Sequence, residues 1–371
     1  AAQPPTGLVA SDGTDNRAVN LRWNDAEGAD SYQIDRVGRQ GAEVFQSRGT
    51  SYADTDAVPG EKYQYTVSTV TSRQKSAPSP ADEGWRGFEK PVARASEGTF
   101  VDRVVVEWMP VPHATSYRVL RDGKPLEATA KAAAGGKMTA DDTEAEPGRT
   151  YSYSVQPVTE KGEAPASDPE RGWRSIAPPS QVGATPGDFT DKVVIRWQPV
   201  PASTGYRVFR DDREITRIEG GRVTEFVDTT AAVGQLYKYA VRSECAAGPG
   251  PVSQVSAGYR NLDPPEGVTA AAAGPGKATV SWTPVRGATG YQVFRVGKKA
   301  AIGFTFAHGD TSFTDVQVPK AGGSFRYIVK AKTDTVTGPP SEQSAAVAVA
   351  PDPDRPADVE SDPADGAPAP P

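Results

Sequence analysis

The chain has 371 residues, among them 37 Gly, 34 Pro, one Cys and two His, with 37% hydrophobic residues and a formal net charge of −6. That length allows two to four ordinary domains, the Gly and Pro content favours short strands and many turns over long helices, and the acidic balance removes the electrostatic case for a nucleic-acid partner. The lone Cys245 excludes an intrachain disulfide, His113 and His308 leave almost nothing for histidine-based metal or Ser-His-Asp chemistry, and no apolar run approaches the roughly 20 residues of a membrane span.

The chain begins at Ala1 without a leader pattern, which predicts a processed product or an excised segment. A Pro4-Pro5 pair precedes the first strand signal. Val19, Leu21 and Trp23 then alternate with Asn20 and Arg22, the period of a strand with one buried face. Nine residues later Tyr32 opens a second strand. Asp54-Thr55 ends a third, Pro59-Gly60 marks a turn, and Tyr63-x-Tyr65-x-Val67 follows. The unit closes on Gly84-Trp85-Arg86-Gly87-Phe88.

The same landmarks return three times. Trp23, Trp108, Trp197 and Trp282 are separated by 85, 89 and 85 residues, and Tyr32, Tyr117, Tyr206 and Tyr291 each follow nine later. Asp142-Thr143, Asp228-Thr229 and Asp315 repeat the Asp. Tyr151-Tyr153-Val155 and Tyr237-Tyr239-Val241 repeat the Tyr pair, while the fourth unit reads Phe325-Tyr327-Val329. Some 85 residues with about seven short strands is the pattern of an all-β sandwich. The predicted units are residues 1–86, 87–174, 175–260 and 261–350, followed by 351–371. That last stretch is rich in Pro, Ala and Asp, has almost no apolar side chains, and reads as a disordered tail or linker.

These features resemble fibronectin type III domains: the Pro-Pro start, the second-strand Trp, the third-strand Tyr and the Pro-Gly-x-x-Tyr corner. The resemblance spans residue 4 to about 350, and the Val285–Tyr291 stretch resembles bacterial members of the family. It implies four tandem immunoglobulin-like β-sandwiches in an elongated array, with Trp23, Trp108, Trp197 and Trp282 in the cores. It also implies that Tyr63, Tyr151 and Tyr237 are corner tyrosines whose hydroxyls donate back to the backbone. Phe325 has no hydroxyl and Ala278 replaces a larger inward residue, so the fourth unit is expected to be the least stable, losing on the order of 1 kcal/mol for the hydrogen bond.

Trp85 and Trp173 lie outside the core pattern. With Tyr259 they define a motif, Gly-[Trp/Tyr]-Arg-x-[Phe/Ile/Leu], at the end of the first three units: Trp85-Arg86-x-Phe88, Trp173-Arg174-x-Ile176 and Tyr259-Arg260-x-Leu262. Pro91, Pro179 and Pro265 follow. The fourth unit ends Ser344-Ala345-Ala346-Val347 without it. A motif present only where another domain follows predicts an interdomain junction, with Phe100 and Phe189 of the following units packing against the Trp rings. Short linkers without Gly/Ser runs predict a semi-rigid rod, on the order of 130 Å for four domains end to end.

The Asp54/Asp56, Asp141/Asp142 and Asp211/Asp212 pairs read as turn residues rather than a hydrolase pair, and no Asp-x-Asp-x-Asp-Gly loop suggests calcium. Cys245 continues the inward parity of Tyr237-Tyr239-Val241 and reads as a structural thiol without an activating base. No Arg-Gly-Asp triplet occurs. The expected protein has no catalytic residues, cofactor or metal and is not an enzyme. By resemblance it is a secreted, periplasmic or cell-surface structural and adhesion-type module of a bacterial protein, with an unidentified protein or glycan partner and an oligomeric state left open. Two alternatives stand beside it. One is a set of accessory modules of a secreted carbohydrate-active enzyme, with Trp85, Trp173 and Tyr259 stacking on sugar. The other is a protein-binding or self-assembling module.

Overall fold

Alternating apolar and polar residues fold here into short antiparallel strands, and the turn residues between them arrange those strands in two layers. The computed structural model describes residues 2–356. In the first repeat the strands are β1 (Val9–Ala10), β2 (Val19–Arg22), β3 (Ser31–Gly38), β4 (Gly41–Ser47), β5 (Ser51–Asp54), β6 (Lys62–Val70) and β7 (Asp82–Trp85). One sheet has the order β1-β2-β5 and the other β4-β3-β6-β7, all neighbours antiparallel. The three later repeats repeat this division between a sheet built on the Trp strand and one built on the Tyr strand. The molecule is an all-β tandem of two-sheet antiparallel sandwiches.

The chain separates into two compact units. One holds Ala1–Ile176 with Cys245–Pro249, and the other holds Ala177–Glu244 with the chain from Gly250 onward. The first unit contains repeats 1 and 2, and the second contains repeat 4 and nearly all of repeat 3.

Each core follows from strand parity. Val19, Leu21, Ile34, Tyr65 and Val67 point inward in repeat 1, and Val104, Val106, Val119, Tyr153 and Val155 do so in repeat 2. Trp23, Trp108, Trp197 and Trp282 are all buried, each ring 5.2–5.4 Å from the ring of the Tyr nine residues on. The four indole N–H groups have no acceptor, so these residues contribute through ring burial and edge contacts alone.

The deepest polar feature is a buried carboxylate that joins the two sheets. Asp54, at the end of β5, accepts two hydrogen bonds from Arg36 Nη1 (2.9 and 2.7 Å), one from Tyr65 Oη (2.8 Å) and one from the Asp56 backbone N–H (3.1 Å). Arg36 and Tyr65 belong to β3 and β6, in the opposite sheet. The group recurs as Asp142 with Arg121 and Tyr153, and as Asp228 with Arg210 and Tyr239. In repeat 4 Asp315 accepts from Tyr327 at 2.9 Å and is ion-paired with Arg295 at 3.3 Å. Burial first, and then the hydrogen bond to the carboxylate, push the Tyr65, Tyr153, Tyr239 and Tyr327 phenols far above their ordinary range.

Several sequence expectations change here. Asp54 and Asp142 do shape a turn, but they are also buried ion-pair centres. Asp211 and Asp212 form a two-residue hairpin turn, both with positive φ. The corner hydroxyls of Tyr63, Tyr151 and Tyr237 accept hydrogen bonds from the backbone N–H groups of Val58, Glu146 and Ala232, each at 3.2 Å, rather than donating them. Tyr237 is half-buried rather than a core residue, and the Arg210 guanidinium lies 4.8 Å over its ring. In repeat 4 the strand carrying Phe325 is interrupted at Arg326: Gly323–Phe325 pairs separately with Val347–Val349.

Residues 351–356, assigned to the tail on composition, hydrogen-bond to repeat 4. Asp352 N–H donates to Lys320 O (3.0 Å), and the Arg355 guanidinium donates to Val316 O (2.5 Å) and to Val318 O. The fourth repeat therefore reaches Arg355 instead of ending at residue 350. The disorder expected of the tail falls on residues 357–371, outside those described.

Asp142→Ala strands the buried side of Arg121 and is expected to cost about 3–5 kcal/mol, read as faster local hydrogen exchange in repeat 2 by mass spectrometry. Burial pushes the Asp228 carboxyl up, but hydrogen bonds from Thr230, Tyr239 and Arg210 outweigh it and hold its pKa below the ordinary range. Its contribution is therefore complete above the unfolded pKa of about 3.9 and is lost as pH falls through the lower folded value. Acid titration followed by exchange in repeat 3 is expected to show this loss, and Asp228→Asn to abolish that part of the pH dependence.

Candidate functional site

The residues singled out at the domain ends fall into two devices with different reach. The first is a clasp that closes each sandwich on itself. The Trp85 N–H donates to Ser11 O (3.1 Å), and Trp85 O accepts from the Gly13 N–H (2.8 Å), so the last strand joins the first in a parallel bridge at Asp12. Trp173 makes the same pair with Ser96 and Gly98, and Tyr259 with Thr185 and Gly187. The aromatic ring then lies over the glycine of its own repeat. Gly98 has φ +68°, and a side chain there would come within 2.3 Å of the Trp173 ring, so both backbone and packing require glycine.

The arginine completes the clasp. Arg86 Nε donates to Asn16 O (2.7 Å), and its Nη1 donates to Thr55 O (3.1 Å) and Ala57 O (3.3 Å). Arg174 does the same to Val101 O, Thr143 O and Ala145 O, and Arg260 to Thr190 O, Thr229 O and Ala231 O. The two Nη1 acceptors are always one and three residues after the buried Asp. Arg355 reaches Val316 and Val318, the equivalent pair after Asp315, so repeat 4 also carries the arginine. It was missed in sequence because Asp352 lies over Gly276 where an aromatic was sought, and because Arg355 comes eight residues after Val347.

The second device is the apolar residue two places after the arginine. Phe88 lies on Gly60, the turn glycine of repeat 1, and lines a cleft with Val58, Pro59, His113 and Lys161, the last two from repeat 2. A Glu61–Lys161 ion pair at 3.1 Å lies alongside, with Glu61 buried. Leu262 is fully buried between Gly234 of repeat 3 and Gly338 of repeat 4. Thr333 Oγ1 donates to Gly234 O at 2.6 Å, and the Leu236 N–H donates to Thr335 Oγ1 at 3.3 Å. Within the first unit, Ile176 and Cys245 both pack at Gly148, Gly248 lies on the Trp173 ring, and Arg171 donates to Ala247 O (2.7 Å). The Cys245 thiol is buried and donates to Gly248 O at 3.0 Å.

The junction motif is therefore divided. Trp85, Tyr259 and the three arginines act within their own repeats, Phe88 and Leu262 reach the next, and Trp173 does both, covering Gly98 of repeat 2 and Gly248 of repeat 3. Phe100 and Phe189 do not stack on the preceding aromatic. Each ring lies under a cation of its own loop, Arg103 or Lys192, and each carbonyl accepts from the residue after the closing arginine, Ser175 or Asn261. Trp173 is 5% exposed, while Trp85 and Tyr259 are half-buried. Sequence reasoning also missed the four arginines of the buried carboxylates. The available signal was an Arg four residues after each third-strand Tyr, at Arg36, Arg121, Arg210 and Arg295.

Among the described residues no group of three or more His, Cys, Asp and Glu side chains could hold a metal ion, and no helix is long and apolar enough to cross a membrane. The chain matches the Fibronectin type III domain family over residues 3–82. It is 27% identical over 200 residues to Fibronectin type III domain-containing protein 7 of Mus musculus, covering 51% of this chain and 26% of that one. It is 38% identical over 74 residues to an amylopullulanase of Thermoanaerobacterium saccharolyticum, covering 19% and 6%. The solved structure of a Fn3-like protein from Clostridium thermocellum is 31% identical over 24% of this chain and 95% of that one, with a TM-score of 0.20. The chain thus spans about a quarter or less of the curated relatives it matches.

Arg174→Ala removes three hydrogen bonds to carbonyls and is expected to destabilise repeat 2 by about 2–4 kcal/mol. Arg174→Lys should recover less than half of that, because an ammonium cannot span three acceptors with a planar fork. Local exchange protection at Val101 and Ala145 distinguishes the two variants.

Proposed function

We propose that this chain, which matches the Fibronectin type III domain family over residues 3–82, is a non-catalytic module of an extracellular or cell-surface protein that holds or presents other domains. The observation that carries this reading is the apolar key at the ends of repeats 1 and 3. Phe88 and Leu262 each fill the space between the turn glycine of one sandwich and the loops of the next. Both pairs are reinforced by polar contacts, Glu61 with Lys161 and Gly234 with Thr333. A linker that is packed and hydrogen-bonded transmits position from one sandwich to its neighbour, which a free hinge does not. A secreted, periplasmic or cell-surface setting and a protein or glycan partner fit such a role.

The second reading, accessory modules of a secreted carbohydrate-active enzyme, is favoured by the match to an amylopullulanase. Burial of Trp173 removes the central ring of the aromatic row on which sugar stacking would depend, leaving Trp85 and Tyr259 as candidates.

Phe88→Ala takes the key from the first junction. Limited proteolysis between Arg86 and Pro91 is expected to accelerate about tenfold while both sandwiches keep their exchange protection, since a closed linker exposes its backbone only on local opening. An unchanged cleavage rate would sink the positioning role. Co-sedimentation with cellulose, chitin and peptidoglycan, wild type against Trp85→Ala, tests the second reading. Binding that the variant loses would put the accessory-module role in its place.

A further inference from the structure

The outer faces of the Tyr-strand sheets differ between repeats, and repeats 3 and 4 differ in their charge. In repeat 3 that face is an ion-pair lattice: Arg207 contacts Glu214 (3.0 Å) and Glu244 (2.8 Å), Arg242 contacts Glu244 (3.5 Å), and Arg242 also lies 5.4 Å over the Phe209 ring. In repeat 2 Arg118 pairs with Glu163. Counting from the buried Tyr of each strand, repeat 4 places Lys330 where repeat 3 has Arg242, and Lys332 where it has Glu244. Gln292 stands at the place of Arg207. Lys330 keeps the ring contact, 5.3 Å over Phe294, but its carboxylate neighbour has become a second ammonium group.

The adjoining edge strand adds aromatic surface. On Gly303–Thr305, Gly303 and Thr305 are buried, and Phe304, 48% exposed, pairs in register with Gln292. Phe306, 80% exposed, lies beside Gly290, whose register partner is Lys332, and Lys332 Nζ is 5.7 Å over its ring. Tyr327, Val329 and Ala331 are buried, so Lys330 and Lys332 project together from the other side of the strand, about 7 Å apart. Neither lysine has an ion-pair partner among the described residues.

We propose that this face, formed by Phe294, Phe304, Phe306, Lys330 and Lys332, binds an anionic polysaccharide of the uronate class. A uronate sugar carries both groups the face requires: a carboxylate for the lysines, and a flat ring face of C–H groups for the phenylalanines. Two unneutralised ammonium groups on a chain of net charge −6 form a local positive field that selects an anion against neutral sugars. Exposed rings beside them give the site a shape that a polyanion without an apolar face does not use. The site is independent of the positioning role and stands or falls without it.

Titration calorimetry of the whole chain with an oligogalacturonate of about ten sugars, at low and at physiological salt, tests the assignment. Wild type is expected to bind, more weakly at the higher salt as exposed charge contacts are screened. Lys332→Glu, which installs the residue found at that place in repeat 3, is expected to weaken binding about tenfold or more, and Phe306→Ala about fivefold. Both positions are on the surface, so circular dichroism should show unchanged folding. A neutral maltooligosaccharide should give no heat. Absence of oligogalacturonate binding, or wild-type affinity in Lys332→Glu, overturns the proposal. Equal binding of poly-L-glutamate with no effect of Phe306→Ala also overturns it, and marks the face as an acceptor of acidic peptide.

Discussion

Each sandwich depends on one buried carboxylate. Asp54, Asp142, Asp228 and Asp315 stand at the end of a strand in one sheet and are held by an Arg and a Tyr from the other. Burying a carboxylate is costly unless it is paired and its oxygens are filled. Here the guanidinium, the phenol and a backbone N–H supply that satisfaction together. The consequence is geometric: the corner after the Asp is fixed relative to both sheets.

The closing arginine and the apolar key both use that corner. Arg86, Arg174, Arg260 and Arg355 find their carbonyls one and three residues after the Asp because the corner presents them there. Gly60 and Gly234 follow in the same corner and offer bare backbone on which Phe88 and Leu262 rest. Closure of one domain and seating of the next are thus successive readings of one rigid turn. A five-residue segment, Gly84 to Phe88 in repeat 1 and Gly258 to Leu262 in repeat 3, carries both.

The fourth repeat shows which parts of this scheme are separable. Its aromatic is replaced by Asp352 over Gly276, yet the arginine contact persists through Arg355, so carbonyl bridging does not need the ring. Its outer sheet face has exchanged ion pairs for lysines and phenylalanines without disturbing the inward Tyr327, Val329 and Ala331. Strand parity permits this, because inward and outward positions are chosen independently.

Much was legible in the sequence because it is periodic. The Trp, Tyr and Asp positions fixed four sandwiches, since period-2 alternation and turn residues are local properties that recur at a fixed interval. The junction motif could be found for the same reason, but its meaning could not. That Tyr259 covers Gly187 of its own repeat, while Leu262 lies between Gly234 and Gly338, depends on which loops come together in space. The Arg four residues after each Tyr was visible as a repeat, and only pairing across the sheets made it the partner of a buried Asp. Contacts such as Arg355 with Val316 and Val318 join residues 37 and 39 positions apart through one guanidinium, and composition had placed that arginine in a tail. Sequence by itself determined the strands and their number, because burial alternates along a chain. The tertiary structure alone decided which end residues close a domain and which join two, because both outcomes use the same residue types and differ only in what the fold brings beside them.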